Sequence, residues 1–242
     1  MLDHVTIRFA DRAAAERFYA LVLAELEAPA PTRSDGWAEW DDFSLAQADA
    51  EHGVTRRLHL GFTAPSREHV DAFWRAGVEA GYRSDGAPGL RPQYLPDYYG
   101  AFLLDPDGNS AEAVHYDGVR ADGVVDHLWL RTRDVEAASR FWDTVAEPAG
   151  VRVRRLSDGR TIVDTGGGGT FSFVEGEPTE NVHLAVAARD DAQVEAFWRA
   201  ATGAGYRDNG APGERPHYHP GYVGAFVLDP DGHNVEAVCH NR

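Results

Sequence analysis

Residues 58–116 of this chain recur without a gap as residues 182–240. Of the 59 aligned positions 33 are identical, including the runs AFWRA, AGYR, GAPG, GAF, LDPDG and EAV. A repeat on this scale fixes the architecture first, because both copies are expected to arrange the same elements in the same order. Two homologous domains are expected, over residues 1–118 and 122–242. They join through the short polar stretch DGVRADG at 117–123, which predicts close packing rather than a loose tether.

Each domain halves again, more faintly. In the first, alternation predicts a strand over Asp3–Phe9, followed by a helical spacing over Ala13–Leu26 and short strands at Trp37–Trp40 and Phe43–Ala46. A strand at Leu58–Phe62, a helix at Arg67–Ala80, and strands at Tyr94, Ala101–Leu104 and Ala111–His115 repeat that order. The second domain reads alike: strand Asp126–Leu130, helix Val135–Val145, and strands at Val151–Arg155, Thr161–Asp164 and Phe171–Val174. Strand Val182–Val186, helix Ala192–Ala204 and a last strand Val235–Cys239 follow. The fold class expected is α+β, with four βαβββ modules in two tandem domains. Asp-Pro-Asp-Gly has turn chemistry throughout, so LDPDG reads as a hairpin turn rather than a binding loop. The Gly166–Gly169 run reads as a turn between strands. No helix or lysine follows it, so it is not a phosphate cradle.

Composition narrows the function. The formal charge of −16 disfavours nucleic acid and anionic membrane as partners. All 23 basic side chains are arginine, which removes lysine Schiff-base chemistry and a Walker lysine. The single cysteine, Cys239, permits no intrachain disulfide, and the N-terminal run is interrupted by charges, unlike a signal peptide. A cytoplasmic protein without membrane spans is expected.

Strand alternation says which residues share a face. Val5, Ile7 and Phe9 oppose His4; Leu58, Leu60 and Phe62 oppose His59; Leu128 and Leu130 oppose His127; Val182, Leu184 and Val186 oppose His183. The apolar face belongs under the module's helix, and the histidine face lines a cavity. Glu112 and Glu236 likewise occupy mid-strand positions, where a carboxylate needs water, a partner or a cation. His4, His59 and Glu112 recur as His127, His183 and Glu236, while their neighbours diverged: Asn109 became His233 and His115 became Cys239. Two imidazoles and a carboxylate form the 2-His-1-carboxylate set, which leaves coordination positions open for a substrate.

With the stretches PHYHPGYVGAFVLDPDGHNVEAVCH and AFWRAATGAGYRDNGAPGERP, and with the DH and VHLAV strand starts, the chain resembles the vicinal oxygen chelate superfamily of glyoxalases, bleomycin-resistance proteins and dioxygenases. The resemblance implies paired βαβββ modules forming cupped mixed sheets around a divalent metal, with helices outside. It implies the ligands His4, His59, Glu112, His127, His183 and Glu236. Cups can close within each domain or by module exchange, the latter grouping His4 with His183 and Glu236, and His127 with His59 and Glu112. Relatives with a fourth protein ligand draw attention to Glu175 and its rough counterpart Gln47.

Iron(II) suits the facial set, and zinc, manganese and nickel also suit imidazole–carboxylate sites. The function expected is lyase, isomerase or ring-cleaving dioxygenase chemistry on a small substrate chelated through two adjacent oxygens. The alternative is a non-catalytic protein that sequesters an aromatic drug. His217, His219 and Tyr222 are candidates for moving a proton. Trp129 and Tyr98 could contact a flat ligand, and Arg91 and Arg215 could hold a substrate carboxylate. A monomer or homodimer is expected.

Overall fold

The first module of the computed structural model consists of β1 (Leu2–Phe9), α1 (Arg12–Ala24), β2 (Thr32–Ser34), β3 (Trp37–Trp40) and β4 (Phe43–Gln47). The second comprises β5 (His59–Thr63), α2 (Arg67–Glu79), β6 (Ser84–Leu90), β7 (Tyr99–Leu104) and β8 (Ser110–His115). The third is β9 (Val125–Thr132), α3 (Val135–Ala149), β10 (Arg152–Arg155), β11 (Thr161–Asp164) and β12 (Thr170–Glu175). The fourth is β13 (His183–Ala187), α4 (Asp191–Gly203), β14 (Arg207–Glu214), β15 (Val223–Leu228) and β16 (Asn234–Cys239). The structure describes residues 1–34 and 36–241.

The expected βαβββ order therefore holds in all four modules. Helix starts follow local chemistry: Asp11, Asp134 and Asp190 each accept a hydrogen bond from the third residue onward, at 3.0, 2.8 and 2.8 Å. One strand assignment needs correction. Tyr94 lies in a turn, its N–H bonded to the Arg91 carbonyl, and the strand of that region is β6, over SDGAPGL. Its glycines and proline carry no strand signal of their own. The structure accommodates them with register shifts against β7, the irregularity that glycine permits. Strand β14 repeats the arrangement against β15. The LDPDG turns behave as expected: Gly108 and Gly232 adopt φ of 87° and 88° and donate to the carbonyls of Asp105 and Asp229.

The strands form two eight-stranded mixed sheets, ordered β14-β15-β16-β13-β1-β4-β3-β2 and β10-β11-β12-β9-β5-β8-β7-β6. The chain forms two compact units, one of Thr6–Trp129 and one of Met1–Val5 with Leu130–Arg242. These limits fall inside β1 and β9, whereas the sequence repeat divides at 118–122. In the first unit Phe18, Tyr19, Phe43 and Phe62 form a buried aromatic cluster with ring centroids 4.8–5.8 Å apart. In the second, Phe141, Trp142, Phe171 and Phe173 take that role. The residues assigned to apolar strand faces, Val5, Ile7, Phe9, Leu60, Phe62, Leu128, Leu130, Leu184 and Val186, are all at most 1 % exposed. Among the described residues no helix is long and apolar enough to cross a membrane.

Candidate metal centres

In the unit Thr6–Trp129, β5 lies between β9 and β8, and Gly61 on β5 pairs with His127 on one side and Glu112 on the other. Directly paired residues point to the same face, and so does His59, two residues before Gly61. Three donors thus surround a position with no side chain. A Cβ at residue 61 would meet the His127 ring as it is placed here, whereas the equivalent position of the other triad is Ala185. His59 Nε2 lies 2.9 Å from Glu112 Oε2 and 3.2 Å from His127 Nε2, and the His127–Glu112 separation is 3.4 Å.

The other unit repeats this geometry. Ala185 pairs with Glu236 on β16 and shares a strand face with His183. His183 Nε2 lies 3.1 Å from Glu236 Oε2 and 3.1 Å from His4 Nε2, with His4 and Glu236 3.7 Å apart. Each triad draws on both halves of the sequence, so the donors group by module exchange. Among the described residues these are the two clusters whose histidine, cysteine and carboxylate atoms converge closely enough to hold a metal ion.

The donor chemistry fits a divalent cation. Donor separations of 2.9–3.7 Å match the edges of a coordination polyhedron with bonds of roughly 2.0–2.2 Å. The carboxylates are 1 % exposed, yet burial does not neutralise Glu112. Burial pushes its carboxyl up, but the hydrogen bonds and charges of His127 and His59 outweigh it and hold it at about 2. His127 is lowered by burial and raised more strongly by Asp126 and Glu112, to about 10. A buried acid kept anionic among imidazoles is a site arranged for positive charge.

A second layer orients these groups. Asp126 accepts from His127 Nδ1 at 2.7 Å, and Asp3 from His4 Nδ1 at 2.8 Å, directing both Nε2 atoms into their triads. Tyr98 donates to Glu112 Oε1 at 2.9 Å and Tyr222 to Glu236 Oε1 at 2.7 Å. Burial, with the facing glutamate, raises both phenols well above their ordinary value, so they stay protonated donors. Behind the aspartates the two sites diverge. Tyr116 donates to Asp126 at 2.8 Å, whereas His240 Nε2 meets Asp3 at 2.9 Å and its Nδ1 meets His219 Nε2 at 2.8 Å. The amide of Asn234 lies 2.7 Å from His183 Nδ1.

A family model described as the Glyoxalase/Bleomycin resistance protein/Dioxygenase superfamily matches residues 124–237. The match lies in the second half of the chain, and residues 58–116 repeat residues 182–240 of that half. Solved structures extend the likeness in fold to the whole length. Glyoxalase I from Zea mays is 18% identical, with a TM-score of 0.68 over 99% of this chain and 92% of its own. A putative dioxygenase from Bacillus subtilis subsp. subtilis str. 168 is 14% identical, with a TM-score of 0.66 over 100% of this chain and 85% of its own. No curated protein sequence matches the chain.

Of the remaining sequence candidates, the aromatic residues, the two histidines and the fourth-ligand candidates fall into three groups. Tyr98, Tyr222 and Trp129 stand at the triads, the Trp129 ring being 5.9 Å from His59. His219 reaches its triad through His240 and Asp3 and packs edge-on against Tyr222, and His217 is exposed, its ring tilted 45° against Tyr218 at 4.3 Å. Glu175 and Gln47 join neither cluster. Glu175 is exposed at the end of β12, and the Gln47 amide binds the Phe9 and Ala10 carbonyls at the start of α1. The sequence reasoning overlooked Asp3, Asp126, Tyr116, Asn234 and His240. One signal was present: an Asp-His pair begins the first strand of both halves.

Proposed function

We propose that the chain is a metal-dependent enzyme of the glyoxalase and dioxygenase type with two sites. His59, Glu112 and His127 would hold one divalent cation, and His4, His183 and Glu236 the other. The observation carrying this reading is the double convergence of two imidazole nitrogens and a carboxylate oxygen, each oriented from behind by aspartate and tyrosine. Iron(II) is the cation favoured for such a set, with zinc, manganese and nickel as alternatives. When bound, the ion would act as a Lewis acid on a small substrate with two adjacent oxygens.

The protein's own contribution is positional. Asp3 and Asp126 fix which ring nitrogen of His4 and His127 faces the site, and the tyrosines hold one carboxylate oxygen so that the other points at the cation. In the unit Thr6–Trp129, Trp129 and Tyr94 contact at 5.8 Å beside His59 and offer an aromatic wall to a flat ligand.

The test is metal content per chain, for protein purified without chelator or histidine tag, in wild type and in Glu112→Ala with Glu236→Ala. About two equivalents in wild type, lost in the double variant, is the expected result. Wild type without metal, even after reconstitution, sinks the enzyme reading and leaves sequestration of an aromatic drug.

A further inference from the structure

Beyond each triad lies an aromatic ring, and beyond the ring an arginine. Phe226 is paired with Glu236 across β15 and β16, so its side chain shares the face of the triad, with its ring 6.2 Å from that of His183. The Arg215 guanidinium carbon lies 5.5 Å from the Phe226 centroid. In the other unit Phe102 pairs with Glu112, its ring lies 5.8 Å from His59, and the Arg91 guanidinium carbon is 5.4 Å from its centroid. Glycines permit the arrangement: a Cβ at Gly213 or Gly89 would crowd the arginine, and one at Gly210 or Gly86 would crowd the phenylalanine.

Neither arginine has an anionic partner among the described residues, in a chain with 39 acidic side chains. The contrast within the protein is clear: Arg120, Arg155 and Arg199 pair with carboxylates at 2.8, 2.6 and 2.5 Å. Backbone carbonyls fix the two side chains instead. Arg215 Nη2 donates to Ala211 O at 2.8 Å and Nη1 to Glu214 O at 3.4 Å, while Arg91 Nη2 donates to Ala87 O at 2.8 Å and Nη1 to Leu90 O at 3.2 Å. A guanidinium has five N–H donors, so most of the fork remains after these two bonds. A fixed, half-buried cation with open donors beside a site is suited to a planar oxyanion. On a protein with a net charge of −16, it also supplies the local attraction that the surface as a whole denies to an anion.

We propose that the substrate is a small organic acid: two adjacent oxygens at one end for the metal, a flat or apolar segment lying along Phe226 or Phe102, and a carboxylate at the other end held by Arg215 or Arg91. This rests on the metal-site reading and names the substrate class for it.

The test uses the full chain loaded with zinc, which does not support redox turnover. The probes are 3-(3,4-dihydroxyphenyl)propionate and its methyl ester, which differ by one charge. Zinc content is measured first on the same sample, and each Kd then by calorimetry. The acid is expected to bind at least ~10-fold more tightly than the ester. In Arg91→Leu with Arg215→Leu the acid falls to the affinity of the ester, and the ester is unchanged. With zinc in place, equal binding of acid and ester by wild type, binding of neither, or a preference that survives in the double variant overturns the carboxylate assignment alone. Failure to take up zinc overturns the metal reading, and this one with it. The acid–ester comparison in wild type stands even if the variant does not fold.

Discussion

Asp105 and Asp229 open the two LDPDG turns, and burial raises both carboxyls, Asp105 to about 6, but their hydrogen-bond partners differ. Oδ2 of Asp105 accepts from the Tyr19 hydroxyl and the Asn109 amide, both at 3.1 Å. In the second copy Trp142 replaces Tyr19 and His233 replaces Asn109. Asp229 Oδ2, Trp142 Nε1 and His233 Nε2 are all buried with no hydrogen-bond partner among the described residues. Burial pushes the Asp229 carboxyl up to about 7, with the neighbouring Asp231 charge adding to it and the backbone N–H groups of the turn opposing it. The unfolded chain loses this proton near pH 3.8 and the folded chain near 7, so between those values the folded state binds more protons. Stability contributed by this group is therefore complete below about pH 4 and lost as pH rises through about 7. Three pH units correspond to about 4 kcal/mol at most. An asparagine in place of Asp229 would keep the oxygen that accepts from the N–H groups of Asp231 and His233 and would carry no charge at any pH. Asp229→Asn should thus exceed wild type in stability by about 2–4 kcal/mol at pH 8, with the gap closing towards pH 4. Urea unfolding followed by tryptophan fluorescence at unit pH steps reads the difference directly. A difference that is flat from pH 4 to 8, or one that favours wild type at pH 8, refutes the reasoning.

Two further substitutions probe the triads and the segment between the repeats. Gly224→Ala would set a Cβ against Glu236 Oε1 and the Tyr222 ring, so metal content should fall from about two equivalents to about one, with circular dichroism unchanged. Retention of both equivalents counts against the glycine's role. Asp42→Ala strips partners from the buried Arg120 guanidinium, which it meets at 2.8 Å, and from the N–H groups of Val124 and Val125. A loss of about 3–5 kcal/mol in urea unfolding is expected, and a loss under about 1 kcal/mol contradicts it.

The six donors were legible because they rest on two local regularities. Alternation in strands assigns a face, as the burial of Ile7 and Leu184 against the half-exposed His4 and His183 shows, and duplication repeats the assignment. Which donors meet was not legible. Alternation along β5 places His59 on a face, but only hydrogen bonding between strands puts Gly61 between His127 and Glu112, and that pairing is non-local. Strands β6 and β14 escaped for a related reason. SDGAPGL has no propensity of its own for extended structure, and its glycines serve the packing of Phe102 and Arg91. The orienting aspartates escaped because neighbours in a strand point to opposite faces, yet Asp3 and Asp126 reach the Nδ1 atoms of the histidines that follow them.

Duplication made the triads alike, and divergence has changed what stands behind them. In the unit Thr6–Trp129, Asp126 is backed by the Tyr116 phenol, which burial and Asp126 together raise well above its ordinary value, so it gives a hydrogen bond and no charge. In the other unit, three contacts run from Pro220 O through His219 and His240 to Asp3, at 2.8, 2.8 and 2.9 Å. Tyr116 thus offers Asp126 one hydroxyl, whereas Asp3 faces a row of two imidazoles. His127 and His4 are therefore oriented by aspartates with different partners behind them, a phenol in one unit and an imidazole in the other. The row is also anchored at its outer end, because His219 stacks on His240 with ring planes 19° apart. Identical donor sets therefore do not have identical surroundings here: residues 116 and 240, equivalent in the repeat, give the two orienting aspartates different partners.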